Sequence, residues 1–223
     1  MRILFKTNYK QDLNLAKHSG HRFWYGLLIL VLFAAPLILD GYYIGEATRV
    51  LIFAMAGLGL MVLTGFTGQV SLGHAAFLAI GAYTNAWFLA QGFSSFVALP
   101  MAALLSMIGG LLVAIPAARM SGIYLAIATL VFAIIVEDFA GHLNSITGGN
   151  RGMMVDVPML FGYQIWQSWE LYLFVLIILV ATTLIVLNIL RSPLGRAMIA
   201  VRDSEISSQA LGVNPMKIKV FAF

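Results

Sequence analysis

Long apolar runs separated by short polar segments constrain this chain more than any other feature of its sequence. A helix needs about 20 mostly apolar residues to cross the hydrocarbon core of a bilayer. Such runs lie at residues 23–39, 44–63, 74–90, 96–116, 122–140 and 169–190. Charged residues make up only 10% of the chain, whereas soluble domains contain roughly 25%. The sequence therefore predicts an all-α, polytopic membrane helical bundle with six spans.

Basic residues between these runs predict the orientation of the bundle, because Lys and Arg favour cytoplasmic segments. Residues 1–22 contain five basic residues and one acidic residue and are predicted to form a cytoplasmic tail. The six-span domain then covers residues 23–190, and the polar residues 191–217 return to the cytoplasm. Residues 218–223 are apolar and are predicted to start a further span. Arg151, in the external loop, is the exception to this charge pattern.

Several function classes lack the residues they need. The chain has no cysteine, which excludes disulfides and thiolate metal sites. Its four histidines are dispersed, no nucleophile–base arrangement is visible, and the phosphate-binding G-x-x-x-x-G-K-[ST] pattern is absent. The basic residues are scattered at segment ends rather than on one face, so nucleic-acid binding is not predicted. The sequence therefore predicts neither an enzyme nor a cofactor site.

A glycine-rich break near residues 64–74, the broken segment, separates the second and third apolar runs. Irregular backbone at membrane depth occurs only where it is buried in protein or lines an aqueous cavity. Transporters often bind their substrates at such breaks. The candidate residues of a substrate path are Gly65, Thr67, Gly68, Gln69, Ser71, Gly73 and His74. From spacing alone, a plain cytoplasmic turn is an equally good interpretation.

The sequence from residue 59 to residue 83, GLMVLTGFTGQVSLGHAAFLAIGAY, is similar to the signature of LivM-type permeases of branched-chain amino acid ABC importers. The resemblance continues through residues 121–130, 147–149, 191–196, 200–205 and 210–212. It implies an inner-membrane permease that translocates branched-chain or related amino acids. The implied partners are ABC ATPase subunits, a second permease subunit and a periplasmic substrate-binding protein, besides membrane lipid. Family members are typically longer, so the chain is expected to be cut short at its C terminus.

Residues 191–217, the coupling segment, are too polar to span a bilayer. Residues 195–211 predict one helix that stops at Gly212 and is apolar on two sides. The resemblance implies that this helix inserts into a groove of an ATPase subunit, although the usual Glu-Ala-Ala is replaced by Glu205-Ile206-Ser207. An interfacial helix held by lipid headgroups is the alternative. The candidate coupling residues are Gly195, Arg196, Arg202, Asp203, Glu205, Ala210 and Gly212.

The external loop, residues 141–168, is long for a connection without secondary structure. The resemblance implies a functional role for Thr147, Gly148 and Gly149, on the side where a periplasmic binding protein docks. A flexible loop anchored by interfacial aromatic residues is the alternative for the rest of the loop.

A stand-alone secondary transporter of a small polar solute is the alternative function. Proton-coupled carriers usually keep an acidic residue near the membrane midplane. Glu137 and Asp138 instead lie near the outer end of the fifth run. This placement favours the ABC permease, and transport by the purified chain without an ATPase would favour the alternative.

Overall fold

A computed structural model describes residues 19–155, 157–160 and 163–223 of the chain. The tail predicted over residues 1–22 lies outside the described residues, apart from residues 19–22 at the start of the first helix. The long helices are α1 (Ser19–Ile38), α2 (Gly41–Leu60), α3 (His74–Ala90), α4 (Ser95–Ala117), α5 (Ile123–His142) and α7 (Ser168–Arg191). Helix α2 continues directly into a π-helical turn, Met61–Phe66.

Short elements fill the two polar regions of the chain. The external loop contains α6 (Asn144–Thr147), a 3₁₀ turn (Gly149–Arg151) and the antiparallel strands β1 (Met159–Leu160) and β2 (Tyr163–Gln164). In this hairpin, Met159 pairs with Gln164 and Leu160 pairs with Tyr163. After α7, the chain forms α8 (Pro193–Asp203), α9 (Glu205–Ala210) and α10 (Pro215–Ala222). Residues 218–222, predicted to start a further span, thus belong to a helix that begins at Pro215.

Four helical segments in the described part of the chain are long and apolar enough to cross a membrane, so the predicted count of six spans is not confirmed. They are Gly41–Phe66, Ser95–Ala117, Ile123–His142 and Ser168–Arg191. The apolar part of α1, Phe23–Ile38, is shorter. Helix α3 has 17 residues, which extend about 26 Å at ~1.5 Å per residue. It is therefore shorter than the ~30 Å hydrocarbon core.

The long helices pack in two groups. Helix α7 packs along α2 around a core that includes Ile44, Leu51 and Leu176. Tyr172 of α7 donates a hydrogen bond of 2.9 Å to the carbonyl of Leu32 and thereby ties α1 to this group. The second group consists of α3, α4 and α5, in which α3 and α4 make the most extensive contact.

Small residues bring α3 and α4 close together. Gly81 faces Ser106 so closely that a Cβ atom on Gly81 would lie 3.2 Å from the serine hydroxyl. The Ser106 hydroxyl also donates a hydrogen bond of 3.2 Å to the carbonyl of Phe77. Ala98 and Ala114 of α4 are completely buried. Close approach through small residues is the usual way in which membrane helices gain dispersion contacts.

Candidate functional site

The broken segment is buried at alternate residues from Thr67 to Gly73, whereas Val70 and Leu72 between them are exposed. Helical structure extends to Phe66, three residues beyond the predicted end at residue 63, and α3 begins at His74. Thr67 and Gln69 each expose only 3% of their surface. The Thr67 hydroxyl donates to the Leu63 carbonyl at 2.6 Å, and the backbone N–H of Gln69 donates to the same carbonyl at 3.1 Å. These bonds pair the Leu63 carbonyl near the end of the helical segment, where the regular backbone hydrogen bonds of the helix stop.

Helix α5 supports the other end of the broken segment. The backbone N–H of Leu72 donates to the Thr129 hydroxyl at 3.0 Å. Gly73 touches the Thr129 backbone, and a Cβ atom at Gly73 would lie 2.1 Å from the Thr129 carbonyl oxygen. His74 contacts α2, where its Nε2 atom lies 3.0 Å from the Ala56 carbonyl oxygen. The start of α3 is therefore held between α2 and α5.

Three buried polar atoms of the broken segment have no hydrogen-bond partner among the described residues. They are Gln69 Oε1, Ser71 Oγ and His74 Nδ1. Buried polar atoms in folded proteins are nearly always paired with protein groups, water or a ligand. Gln69 uses only its amide nitrogen within the protein, donating to Thr67 at 3.1 Å and to the Lys219 carbonyl at 3.2 Å. The segment therefore has spare hydrogen-bonding capacity for water or a polar solute.

The coupling segment contains two helices, so the prediction of a single helix over residues 195–211 is wrong. Helix α8 ends at Asp203, and the Ser204 hydroxyl caps α9 by accepting a hydrogen bond of 3.2 Å from the Ser207 N–H. Serine is a favoured N-cap residue because its hydroxyl accepts a hydrogen bond from a free backbone N–H group in the first turn. The chain turns after α9 at Gly212, which has a φ of +82°.

Helix α8 is attached to the membrane bundle along one face. Met198 and Val201 expose 1% and 2% of their surfaces. At its start, Gly195 lies against the backbone of Leu190, where a Cβ atom would come within 2.2 Å of the carbonyl oxygen. The opposite side of the coupling segment carries apolar residues that face outward, since Ile206 is 83% exposed and Leu211 is 80% exposed.

Arg202 joins the coupling segment to the broken segment. Its Nη1 atom donates a hydrogen bond of 2.8 Å to the Gly65 carbonyl, while Nε and Nη2 donate to Asp203 at 3.1 and 3.0 Å. The aliphatic part of Arg202 covers Gly68, whose φ is +70° and whose Cβ position would lie 2.9 Å from Arg202 Cγ. Two predicted sets of site residues, separated by more than a hundred positions in sequence, thus meet here.

Lys219 makes a second connection between these segments, and sequence analysis missed it. Its side chain is 8% exposed and forms an ion pair of 2.5 Å with Glu205, whose side chain is 47% exposed. The carbonyl of Lys219 accepts the hydrogen bond from Gln69. Lys219 had no predicted role beyond its place in residues 218–223. The alternation of polar and apolar residues around Lys219 did not predict that its side chain is buried.

The remaining candidates lie apart from this junction. Arg196, Ala210 and Gly212 are exposed on the coupling segment. Thr147, Gly148 and Gly149 form a tight turn after α5, where the Thr147 hydroxyl donates to the carbonyls of Ala140 and Leu143 at 2.6 and 2.8 Å. The same hydroxyl accepts from the Gly149 N–H at 3.2 Å. The predicted sets therefore form one junction between the broken and coupling segments and one separate turn.

Sequence comparisons identify the family that the chain resembles. Residues 42–223 match the family described as the branched-chain amino acid transport system permease component. The chain is 35% identical over 221 residues to the LivM permease protein of the high-affinity branched-chain amino acid transport system of Salmonella typhimurium. That alignment covers 88% of this chain and 52% of the relative.

The corresponding LivM protein of Escherichia coli is 34% identical over 226 residues, which cover 90% of this chain and 53% of that protein. The chain thus spans about half the length of the curated relatives it matches. No solved structure is significantly similar to it. The match to the family model extends over most of the chain and includes the broken and coupling segments. This protein is therefore a member of the branched-chain amino acid transport system permease family.

Proposed function

We propose that this chain is the permease subunit of an ABC importer that carries branched-chain or related amino acids across the bacterial inner membrane. Separate ATPase subunits drive it, a second permease subunit completes the pathway, and a periplasmic binding protein delivers the substrate. The N terminus and the coupling segment lie in the cytoplasm. The observation that carries the proposal is the hydrogen bond from Arg202 to the Gly65 carbonyl, which joins the two segments directly.

Each set of residues has a role in this mechanism. The broken segment lines the substrate path through Gly65, Thr67, Gly68, Gln69, Ser71, Gly73 and His74. The unpaired polar atoms of Gln69, Ser71 and His74 support this role. The coupling segment receives the ATPase, and Arg202 and Glu205 transmit its movement to the broken segment. The exposed Ile206 and Leu211 support a helix-in-groove contact with the ATPase.

Replacing Ile206 and Leu211 by aspartate together should abolish association with the ATPase subunits. Both side chains are at least 80% exposed, so the double variant loses an apolar contact surface without disturbing the core. Co-purification of the tagged permease with its ATPase subunits measures the effect. The matched control is Met154→Asp in the external loop, where the methionine is 97% exposed. Undiminished association of the double variant would remove the coupling assignment.

Replacing Arg202 by glutamine should separate ATP hydrolysis from uptake. The change removes the donor to the Gly65 carbonyl but leaves the ATPase-facing residues intact, and the Arg202 side chain is 43% exposed, so folding is retained. We expect the reconstituted transporter to keep its basal ATPase activity. Substrate uptake should fall about tenfold, which corresponds to a loss of ~1.4 kcal/mol of coupling free energy. The control is Arg191→Gln at the exposed end of α7. Unchanged uptake by the Arg202 variant would contradict the proposed linkage.

The same reconstituted system distinguishes the alternative function. Transport by vesicles that contain the permease without any ATPase subunit would identify a stand-alone secondary transporter and overturn the proposal. Transport that requires both ATP and the ATPase subunits would support it.

A further inference from the structure

A cavity lies between α3, α5 and the turn that follows α5, away from the junction described above. Its volume is about 540 Å³, within the range of pockets that hold small organic molecules. Small residues form most of its walls: Ala75, Ala76 and Ala79 from α3, and Ala133, Ala140 and Gly141 from α5. Because these side chains are short, the two helices leave space between them for an apolar group.

Two opposite charges line this cavity. Glu137 of α5 and Arg151 of the 3₁₀ turn both contribute to its walls. Within the described part of the chain, neither side chain forms an ion pair or a hydrogen bond with the other or with a third residue. Two other carboxylates differ in this respect: Asp138, the next residue along α5, pairs with His142 at 3.3 Å, and Glu46 of α2 pairs with Arg49 at 3.4 Å. Among the residues that the structure describes, the cavity therefore presents a carboxylate and a guanidinium group without a charged partner, and both residues are exposed.

The turn that carries Arg151 is built to keep this residue beside α5. Its Thr147 hydroxyl is anchored to two carbonyls at the end of α5. Gly148 has a φ of +73°, and its Cβ position would lie 2.3 Å from the Gly152 carbonyl oxygen, so the chain folds back tightly at this point. The backbone of Gly149 and Gly152 lines the cavity next to Arg151. Arg151 was the exception to the charge pattern of the sequence, and a ligand-binding role gives a physical reason for a cation at this position.

We propose that this cavity binds an α-amino acid in its zwitterionic form. Arg151 binds the carboxylate, since the guanidinium group matches a carboxylate with two parallel hydrogen bonds. Glu137 accepts hydrogen bonds from the ammonium group, and the apolar side chain of the ligand lies among the alanines of α3 and α5. The inference rests on the proposed function and narrows its substrate class. Urea and neutral amides, which lack both charges, are excluded from this site.

Equilibrium binding to the purified full chain in lipid nanodiscs tests the proposal. Radiolabelled L-leucine is the probe, and L-leucinamide, 4-methylpentanoate and urea are the competitors. Leucinamide lacks the carboxylate and 4-methylpentanoate lacks the ammonium group. Loss of one charge-assisted contact should weaken competition by each analogue about 10- to 100-fold relative to leucine, and urea should not compete. Equal competition by the two analogues and leucine, or no leucine binding, would overturn the proposal.

Variants that each neutralise one of the two charges test whether the ligand binds in this cavity. Glu137→Gln and Arg151→Gln should each weaken leucine binding about 10- to 100-fold, and Arg151→Lys should restore part of the affinity. The matched controls are Asp138→Asn, which changes the adjacent carboxylate, and Arg49→Gln, which changes an arginine outside the cavity that is paired with Glu46. The controls should bind as the unmodified protein does. Wild-type affinity in both Glu137→Gln and Arg151→Gln would place the ligand elsewhere.

Uptake by cells that express the complete transporter separates this inference from the proposed function. If Glu137→Gln and Arg151→Gln leave leucine uptake unchanged while the Ile206/Leu211 double variant abolishes it, the cavity assignment fails and the permease function stands. If the purified chain binds leucine through Glu137 and Arg151 but the complete system imports no amino acid, the cavity assignment stands and the proposed function fails.

Discussion

Replacing Gly73 by alanine should lower both the stability of the protein and the uptake of its substrate. The added methyl group would lie 2.1 Å from the carbonyl oxygen and 2.8 Å from the carbonyl carbon of Thr129. These are backbone atoms of α5, so they cannot rotate away as a flexible side chain would. Overpacking costs about 1–3 kcal/mol, occasionally more. We expect about 3 kcal/mol here, because α3 must shift relative to α5.

The expected loss corresponds to a decrease of roughly 6–12 °C in the thermal midpoint, on the scale of soluble domains of this size. Thermal unfolding of the detergent-solubilised protein, followed by size-exclusion chromatography, measures it. The matched control is Gly57→Ala in α2, where a new Cβ atom has no neighbour within 4 Å among the described residues. A Gly73→Ala variant as stable as this control would show that α3 and α5 are not in backbone contact.

Neutralising Glu205 should destabilise the protein more than removing the charge of Lys219. The two residues form one ion pair, but Lys219 has an 8% exposed side chain whereas that of Glu205 is 47% exposed. Glu205→Gln leaves a buried ammonium group without a counter-charge. Lys219→Met leaves a carboxylate that water can still solvate, and it places an uncharged side chain at the buried position. Breaking a buried pair on one side costs about 3–5 kcal/mol, which we reduce to about 2–3 kcal/mol because Glu205 is half exposed.

The same thermal unfolding assay measures this asymmetry. The midpoint of Glu205→Gln should fall by roughly 4–12 °C, and that of Lys219→Met by less than half as much. The double variant Glu205→Gln/Lys219→Met provides the control, since it removes both charges and should recover much of the stability lost in Glu205→Gln. Equal effects of the two single changes would mean that the ammonium group of Lys219 has access to water.

Arg202 of α8 and Lys219 of α10 both contact the first half of the broken segment. Arg202 contacts the carbonyl of Gly65, and Lys219 accepts a hydrogen bond from Gln69. Because α8 and α10 also pack against each other, a displacement of the coupling segment would move both contacts together. This arrangement gives the proposed mechanism a short physical route from the ATPase-facing surface to the candidate substrate path.

Several features of the fold could be predicted because they depend only on local sequence. The apolar runs identified the long helices, since each segment must match the bilayer in length and polarity. Helix ends were less predictable. The second helix passes Leu63 as a π-helical turn to Phe66, and Ser204 divides the coupling segment into α8 and α9. A side-chain hydrogen bond accompanies each departure, at Thr67 and at Ser204, and the apolar pattern does not record such bonds.

The sequence by itself determined that the chain belongs in lipid, where its helices lie, and which segments interrupt the apolar pattern, because these properties follow from the solvation of each stretch. Only the tertiary structure decided which of these interrupting segments contact each other. Contacts such as Arg202 with Gly65, Lys219 with Gln69 and Gly73 with Thr129 join residues far apart in the chain. Their formation depends on how the helices pack against one another, and no local periodicity records that information.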